Sequence, residues 1–195
     1  MPDDLNAAAD LLARAFHDDP MMSWVMPDAA RRPQALRHYF AAGLRHAGRH
    51  GRVDRAPEGA GAAVWLAPGH PRMTALRMLL SGHAALPLRL GLEGYRRLAR
   101  LNEYALMLHD RTASAPHWYL YLVGVDPARR RRGIGAGLLR PALARADADR
   151  LPCYLETSSE MNIPFYERLG FRVAIRGRVP PDGPALYAML RPSRR

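Results

Sequence analysis

Residues 119–139 read YLYLVGVDPARRRRGIGAGLL. An apolar, aromatic-rich run ends at Val125. Asp126-Pro127 breaks it, four arginines follow, and Gly133-Ile134-Gly135 opens a stretch whose apolar residues return at helical spacing. The pattern predicts a strand over Trp118–Val125 and a helix over Gly133–Ala146. The turn between them is built to hold an anion. The first N–H groups of a helix have no partner inside it and point outward. Glycines at 133 and 135 let a bulky anion reach that backbone, Arg130, Arg131 and Arg132 add charge and hydrogen bonds, and the small Ala136 keeps the next turn open. Glycine spacing alone is a weak signal. The arginines, the preceding Val125-Asp126-Pro127 and the following Leu138-Leu139 make it specific.

Working outward, Pro152–Glu156 reads as a strand and Asn162–Leu169 as a short helix stopped by Gly170. Phe171–Arg178 and Ala185–Leu190 read as strands joined through Pro180-Pro181-Asp182-Gly183. Strand, helix, strand at this spacing is a right-handed crossover between parallel strands. The flanking strands are too closely connected to be parallel, so the sheet should be mixed. Toward the N-terminus, helices are expected over Asp4–Phe16 and Arg31–Arg49, with a short apolar piece, Met21–Met26, between them. Strands follow at Arg52–Arg55 and Ala60–Leu66, turned by Pro57-Glu58-Gly59. Residues 71–109 carry Met73, Leu76, Leu79 and Leu80, a break at Ala85-Leu86-Pro87 and a helical pattern over Leu90–Leu108. They are either core-packing helices or a lid over a substrate. The interior Pro141 predicts a kink in the helix after the arginines.

At 195 residues with 48% apolar side chains, the chain is expected to form one α/β domain with a substantial core. The net charge is +11 and all 29 basic residues are arginine. Arginine-biased composition and an anionic partner both account for that. Nucleic acid as the partner is disfavoured, because no recognition helix with interleaved aromatics and no zinc module accompanies the charge. Cys153 is the sole cysteine, so neither an intrachain disulfide nor a cysteine metal set is available. His46 and His50, four apart, have no third ligand and read as a solvated helix face; no metal is expected. The first residues are acidic where a secretory leader is basic, and no apolar run nears the ~18 residues of a membrane span. A cytoplasmic location without membrane attachment is the expectation.

The segment VDPARRRRGIGAGLL, with Arg130-x-x-Gly133-x-Gly135 at its centre, resembles the coenzyme A motif of the GNAT acyltransferases, and NIPFYERLGF (Asn162–Phe171) resembles the motif that follows it. The likeness is specific over residues 117–171, and HWYL, LETSS and NIPFYERLGF are most similar to the puromycin N-acetyltransferase group. It implies a GNAT fold, a mixed twisted sheet with a splayed parallel strand pair and flanking helices. It also implies acetyl-CoA as co-substrate, with no metal. The main chain of Val123, Gly124 and Val125 would pair with the pantetheine arm, and that of Arg131 to Ala136, Ile134 included, would hold the pyrophosphate. Tyr166 would protonate the departing thiolate. Asn162 would contact the coenzyme or cap the short helix. Where well-studied relatives carry a base on the coenzyme-binding strand, this chain has Tyr119 and Tyr121. Ribosomal-protein acetyltransferases resemble it at Glu156, which is the best candidate base, directly or through water. Glu156 reads equally as a structural salt bridge or hydrogen bond, and Glu103, His109 and His117 stand in reserve.

The expected reaction is direct acetyl transfer to the primary amine of a small molecule, apolar or aromatic given the Met- and Leu-rich residues 71–109 on the acceptor side. Met21, Met22, Trp24, Met26, Met73 and Met78 read either as pocket lining or as core. A catalytically silent coenzyme-binding regulator is an alternative. A dinucleotide site is another: Glu156 lies about 20 residues past the glycines, as a ribose partner would. Seven residues intervene between strand and first glycine, however, and Leu138 stands where the third glycine belongs. A homodimer is compatible with the sequence.

Overall fold

The computed structural model describes residues 2–69, 80–113 and 116–193. Six strands form one mixed sheet: β1 (Gly51–Arg55), β2 (Gly61–Leu66), β3 (Trp118–Val125), β4 (Cys153–Thr157), β5 (Arg172–Arg178) and β6 (Ala185–Arg191), in the order β1-β2-β3-β4-β6-β5. Every neighbouring pair is antiparallel except β3 and β4. That parallel pair is joined at only two positions, Trp118 with Cys153 and Tyr119 with Tyr154. Beyond Tyr119 the strands part. On the other edge of β3, at the same level, Trp65 faces Leu120 but Val64 faces Leu122, leaving Tyr121 as an extra residue. A bulge bends its strand and strengthens the local twist, and here it coincides with the splay. Tyr121 and Leu122 consequently both pack toward the same core. Gly43 makes room, since a Cβ there would sit 3.3 Å from the Tyr121 ring.

Helices α1 (Pro2–Ala15), α2 (Pro20–Val25), α3 (Arg32–His50) and α4 (Leu86–Thr112) cover one face of the sheet, and α5 (Ile134–Ala148) and α6 (Ile163–Glu167) the other. On the first face Leu12, Leu36, Phe40 and Leu44 are buried against Ala62, Val64 and Leu66. On the second, Leu139, Leu143 and Phe171 close over Trp65, Leu120 and Leu155. Each such side chain contributes roughly 1.5–3 kcal/mol when fully buried. Alternation along β4 sends Cys153 and Leu155 to the second face and Tyr154 and Glu156 to the first.

Several expectations change. Met21–Met26 is mostly helical: Asp19 caps α2 by accepting hydrogen bonds from the Met21 and Met22 N–H groups at 2.9 and 3.2 Å. The break at Ala85-Leu86-Pro87 is a helix junction, with Pro87 in the first turn of α4, where a missing N–H costs nothing. Helical dihedrals are interrupted instead at Gly91, at φ 70°. The helix α5 runs continuously through Pro141. His46 is buried rather than solvated. Met22 and Met26 are core, with Met21 and Trp24 packed beside them. The expectations on Met73, Leu76, Met78 and Leu79 lie outside the described residues.

Candidate active site

The basic turn between β3 and α5 leaves donors open. Gly133 stands at φ 77° just before α5, and the first helical bond runs from the Gly137 N–H to the Gly133 carbonyl at 2.9 Å. The N–H groups of Ile134, Gly135 and Ala136 therefore have no acceptor within the helix. A Cβ on Gly135 would press on the Phe165 ring at 3.3 Å, so glycine there also lets α6 approach. The arginines divide. Arg129 pairs with Glu58 at 2.8 Å, and Arg130 donates to the Ala15 carbonyl at the end of α1 at 2.7 Å. Arg131, at φ 63°, and Arg132 are exposed and make no ion pair among the described residues. Arg14 ties to Asp126 at 3.0 Å, fixing α1 against the start of the turn. An unmet helix terminus, two unpaired arginines and an unpaired length of β3 form a cradle that fits a linear diphosphate ligand with an amide arm.

Where β3 and β4 part, a cleft opens on the α1–α4 face. Glu156 lies at its floor, keeping some exposed surface yet closely surrounded by protein. Burial pushes its carboxyl up to about 7, opposed by hydrogen bonding from Tyr119. The Tyr154 hydroxyl also faces Glu156, and after burial the Glu156 charge and its hydrogen bond to that carboxyl hold the phenol protonated. Tyr121 and Tyr39 are hydrogen-bonded to each other, and both sense Glu156. Burial raises all four phenols above their ordinary range, so they remain protonated donors. Among the described residues Glu156 makes no ion pair, but hydrogen bonds from Tyr119, Tyr154 and the backbone meet the hydrogen-bond half of its structural reading. His109 and His117 meet through their Nε2 atoms at 2.6 Å, and His109 stacks on the Tyr154 ring at 4.3 Å. The reserve histidines therefore back the wall of the cleft.

Tyr166 lies in the core of the opposite face of the sheet. Its ring packs between Phe165 and Phe171, and its hydroxyl makes no hydrogen bond among the described residues. Burial raises its pKa, and the charge of Asp19 adds to the effect. Asn162 does not cap α6. Its side chain donates to Thr157 Oγ1 at 3.3 Å, because Asn162 itself has helical dihedrals and cannot turn back onto the first turn. Cys153 is sealed in the second face, its thiol pushed up to about 12 by burial.

Sequence reasoning missed Asp19. Its Oδ2 accepts a hydrogen bond from Ser158 at 3.0 Å, and its charge is felt at Tyr39 and Tyr166. The Asp19-Pro20 pair signals a helix start, and nothing local signals a site. Two cavities, of about 1070 Å³ beside β5 and about 340 Å³ between α2, α3 and the start of α4, touch neither Glu156 nor Tyr166. No group of histidine, cysteine, aspartate or glutamate among the described residues is arranged to hold a metal, and no helix among them is long and apolar enough to cross a membrane.

A parallel strand pair splayed over a helix terminus is the architecture of acyl-CoA-dependent acetyltransferases. The model of the Acetyltransferase (GNAT) family matches residues 94–171. An uncharacterized N-acetyltransferase of Schizosaccharomyces pombe is 30% identical over 176 residues, spanning 86% of this chain and 70% of the relative. A Corynebacterium glutamicum structure, described as histone acetyltransferase HPA2 and related acetyltransferase, is similar at TM-score 0.67 and 26% identity, covering all of this chain and 94% of that one. Arylalkylamine N-acetyltransferase 2 of Aedes aegypti shares the fold at TM-score 0.61 and 14% identity, covering all of this chain and 96% of that one. The chain belongs to the GNAT acetyltransferase family, whose members use acetyl-CoA. That membership sets aside the dinucleotide alternative.

Proposed function

We propose that this protein transfers the acetyl group of acetyl-CoA to a primary amine of a small molecule by direct attack in a ternary complex. The observation that carries the reading is Glu156, a carboxyl without a cationic partner, raised to about 7, at the floor of the cleft between β3 and β4. Such a carboxylate takes a proton from an ammonium group more readily than an ordinary glutamate does. The main chain of Val123, Gly124 and Val125 suits the amide arm of the coenzyme. The N–H groups of Ile134, Gly135 and Ala136, with Arg131 and Arg132, suit its pyrophosphate, and Arg130 joins them on release from Ala15.

The coenzyme supplies an activated acetyl thioester. Glu156 accepts the proton of the substrate ammonium, directly or through one water, which frees the nitrogen lone pair to attack the thioester carbonyl. Tyr166, kept neutral by burial, gives its proton to the sulfur as the carbon–sulfur bond breaks. Cys153 takes no part: it faces the other side of the sheet and its thiol holds its proton. The tyrosine walls of the cleft favour an apolar or aromatic amine. The segments HWYL, LETSS and NIPFYERLGF support placement in the puromycin-type group. Calorimetry with acetyl-CoA, followed by a thiol-release screen over amine antibiotics, arylalkylamines, polyamines and amino acids, tests the reading. Coenzyme uptake with acetylation of an amine supports it. Folded protein that binds no coenzyme, or that binds it and acetylates no amine, refutes it.

A further inference from the structure

Helix α6 spans five residues, too few to hold a helix in water by itself. The place of Tyr166 is therefore set by what ties the two ends of its segment. Behind Tyr166, the buried Arg191 holds Asp147 with hydrogen bonds of 2.8 and 2.6 Å and donates to the Leu169 carbonyl at 3.0 Å. Ahead of it, β4 ends at Thr157 and residues 158–162 lead into α6. Thr157 Oγ1 ties this turn to itself, receiving the Asn162 side chain at 3.3 Å and the Ser159 N–H at 3.4 Å. An ion pair of Glu160 with Arg176 at 3.2 Å is exposed on both sides and contributes little. The enclosed tie is Ser158, 6% exposed, whose hydroxyl donates to Asp19 Oδ2 at 3.0 Å. A hydrogen bond to a carboxylate in such surroundings is a strong one.

Asp19 is itself fixed. Its Oδ1 is occupied by the Met21 and Met22 N–H groups. The buried guanidinium of Arg32 donates to the carbonyls of Met26, His17 and Pro27 at 2.7, 2.9 and 3.0 Å, which holds the turns on either side of α2. The end of α1 is fastened to the anion-binding turn through Arg14 with Asp126 and through Arg130 with the Ala15 carbonyl. The chain from Arg14 to Asp19 thus touches the anion-binding turn at one end and the turn leading to Tyr166 at the other. The chemistry needs such a link. A coenzyme gripped at its pyrophosphate presents its sulfur at a set distance, and a proton donor misplaced by about 1 Å loses much of its effect. Burial, and after it the charge of Asp19, opposes loss of the Tyr166 proton. What Asp19 can contribute to proton transfer is therefore position and not acidity.

We infer that Asp19 is a positioning residue for Tyr166: through Ser158 it holds the turn leading to α6 in register with α1, and through α1 with the turn that grips the coenzyme. The inference rests on the acetyltransferase reading with Tyr166 as the acid, and it adds a pair of residues, Asp19 and Ser158, that act through that tyrosine.

The test measures kcat with an amine that the thiol-release screen turns over, and acetyl-CoA affinity by calorimetry. Ser158→Ala cuts the tie and leaves the cap of α2 in place. It should lower kcat by about tenfold, the scale of a modest misplacement, with coenzyme affinity held. Ser158→Thr, which restores a hydroxyl, should recover most of that loss. In a Tyr166→Phe background Ser158→Ala should lower kcat no further, because no phenolic proton remains to be placed, whereas a general loss of structure would multiply with it. Asp19→Ser still caps α2 but is too short to reach Ser158. It should lower kcat about as far as Ser158→Ala does, and the double substitution no further than either. An unchanged kcat in Ser158→Ala, a loss that persists at full size in the Tyr166→Phe background, or no recovery in Ser158→Thr overturns the inference while the acetyltransferase reading stands. Full activity of Tyr166→Phe, absence of coenzyme uptake, or acetylation of no amine overturns that reading and the inference together.

Discussion

Replacing Glu156 by glutamine removes one titratable group from the cleft and changes its shape very little. Two consequences follow, and the first does not depend on substrate. In the folded protein the carboxyl is raised from 4.5 to about 7 because burial penalises its charge. A raised carboxyl costs stability: the folded state holds its proton where the unfolded chain has released it, so stability falls as pH rises from the unfolded to the folded value. At ~1.4 kcal/mol per pKa unit, the full cost above neutrality is about 3 kcal/mol. Denaturant titrations of the native protein and Glu156→Gln at about pH 5 and about pH 8 should therefore diverge, with the variant gaining up to about 3 kcal/mol at the higher pH relative to the lower. The second consequence is catalytic. The native kcat/KM should rise with unit slope up to about pH 7 and then level, while the variant lacks that limb and is slower by on the order of a hundredfold. A stability difference independent of pH refutes the argument that Glu156 is held unpaired and desolvated. A native pH limb that survives in the variant refutes its role as base.

Tyr166→Phe should lower kcat by a hundredfold or more, on the order of a lost general acid, with coenzyme affinity unchanged in calorimetry and thermal stability nearly so, since the hydroxyl makes no hydrogen bond among the described residues. Arg131→Ala with Arg132→Ala should weaken acetyl-CoA binding about tenfold and flatten its salt dependence without moving the unfolding midpoint. Arg129→Ala should change coenzyme affinity far less, because that side chain is engaged by Glu58. Gly124→Ala would set a Cβ 2.8 Å from Leu12 Cδ2 and 3.0 Å from Ala15 Cβ. It should cost about 1–3 kcal/mol in chemical denaturation and should disturb the hold of α1 on Arg130.

Much of this site is local and was therefore legible. The anion-binding turn depends on residues within one short stretch: strand, Asp126-Pro127, arginines, Gly133 and the start of α5. The strand–helix–strand order implied a parallel pair, and Glu156 and Tyr166 each sit in a recognisable segment. The residue-level roles within the arginine run were not legible. All four look alike in sequence, and only packing of α1 and the Pro57–Gly59 turn against the loop engages Arg129 and Arg130. The capping role considered for Asn162 failed because a single turn of 3-10 helix precedes α6 and gives that residue helical dihedrals.

Taken alone, the amino-acid order determined the alternation that builds the sheet, the break that opens a helix terminus to an anion, and the family to which those motifs belong, because each is encoded by neighbours in the chain. The tertiary structure decided the cleft. The bulge at Tyr121 lies in the register of β2 against β3, just past the last pairing with β4. Asp19 enters the site through a hydrogen bond to a serine 139 residues away, and Tyr39 arrives on a helix packed across the sheet. Desolvation raises Glu156 only once those elements surround it, and burial of that kind is a property of the assembled chain.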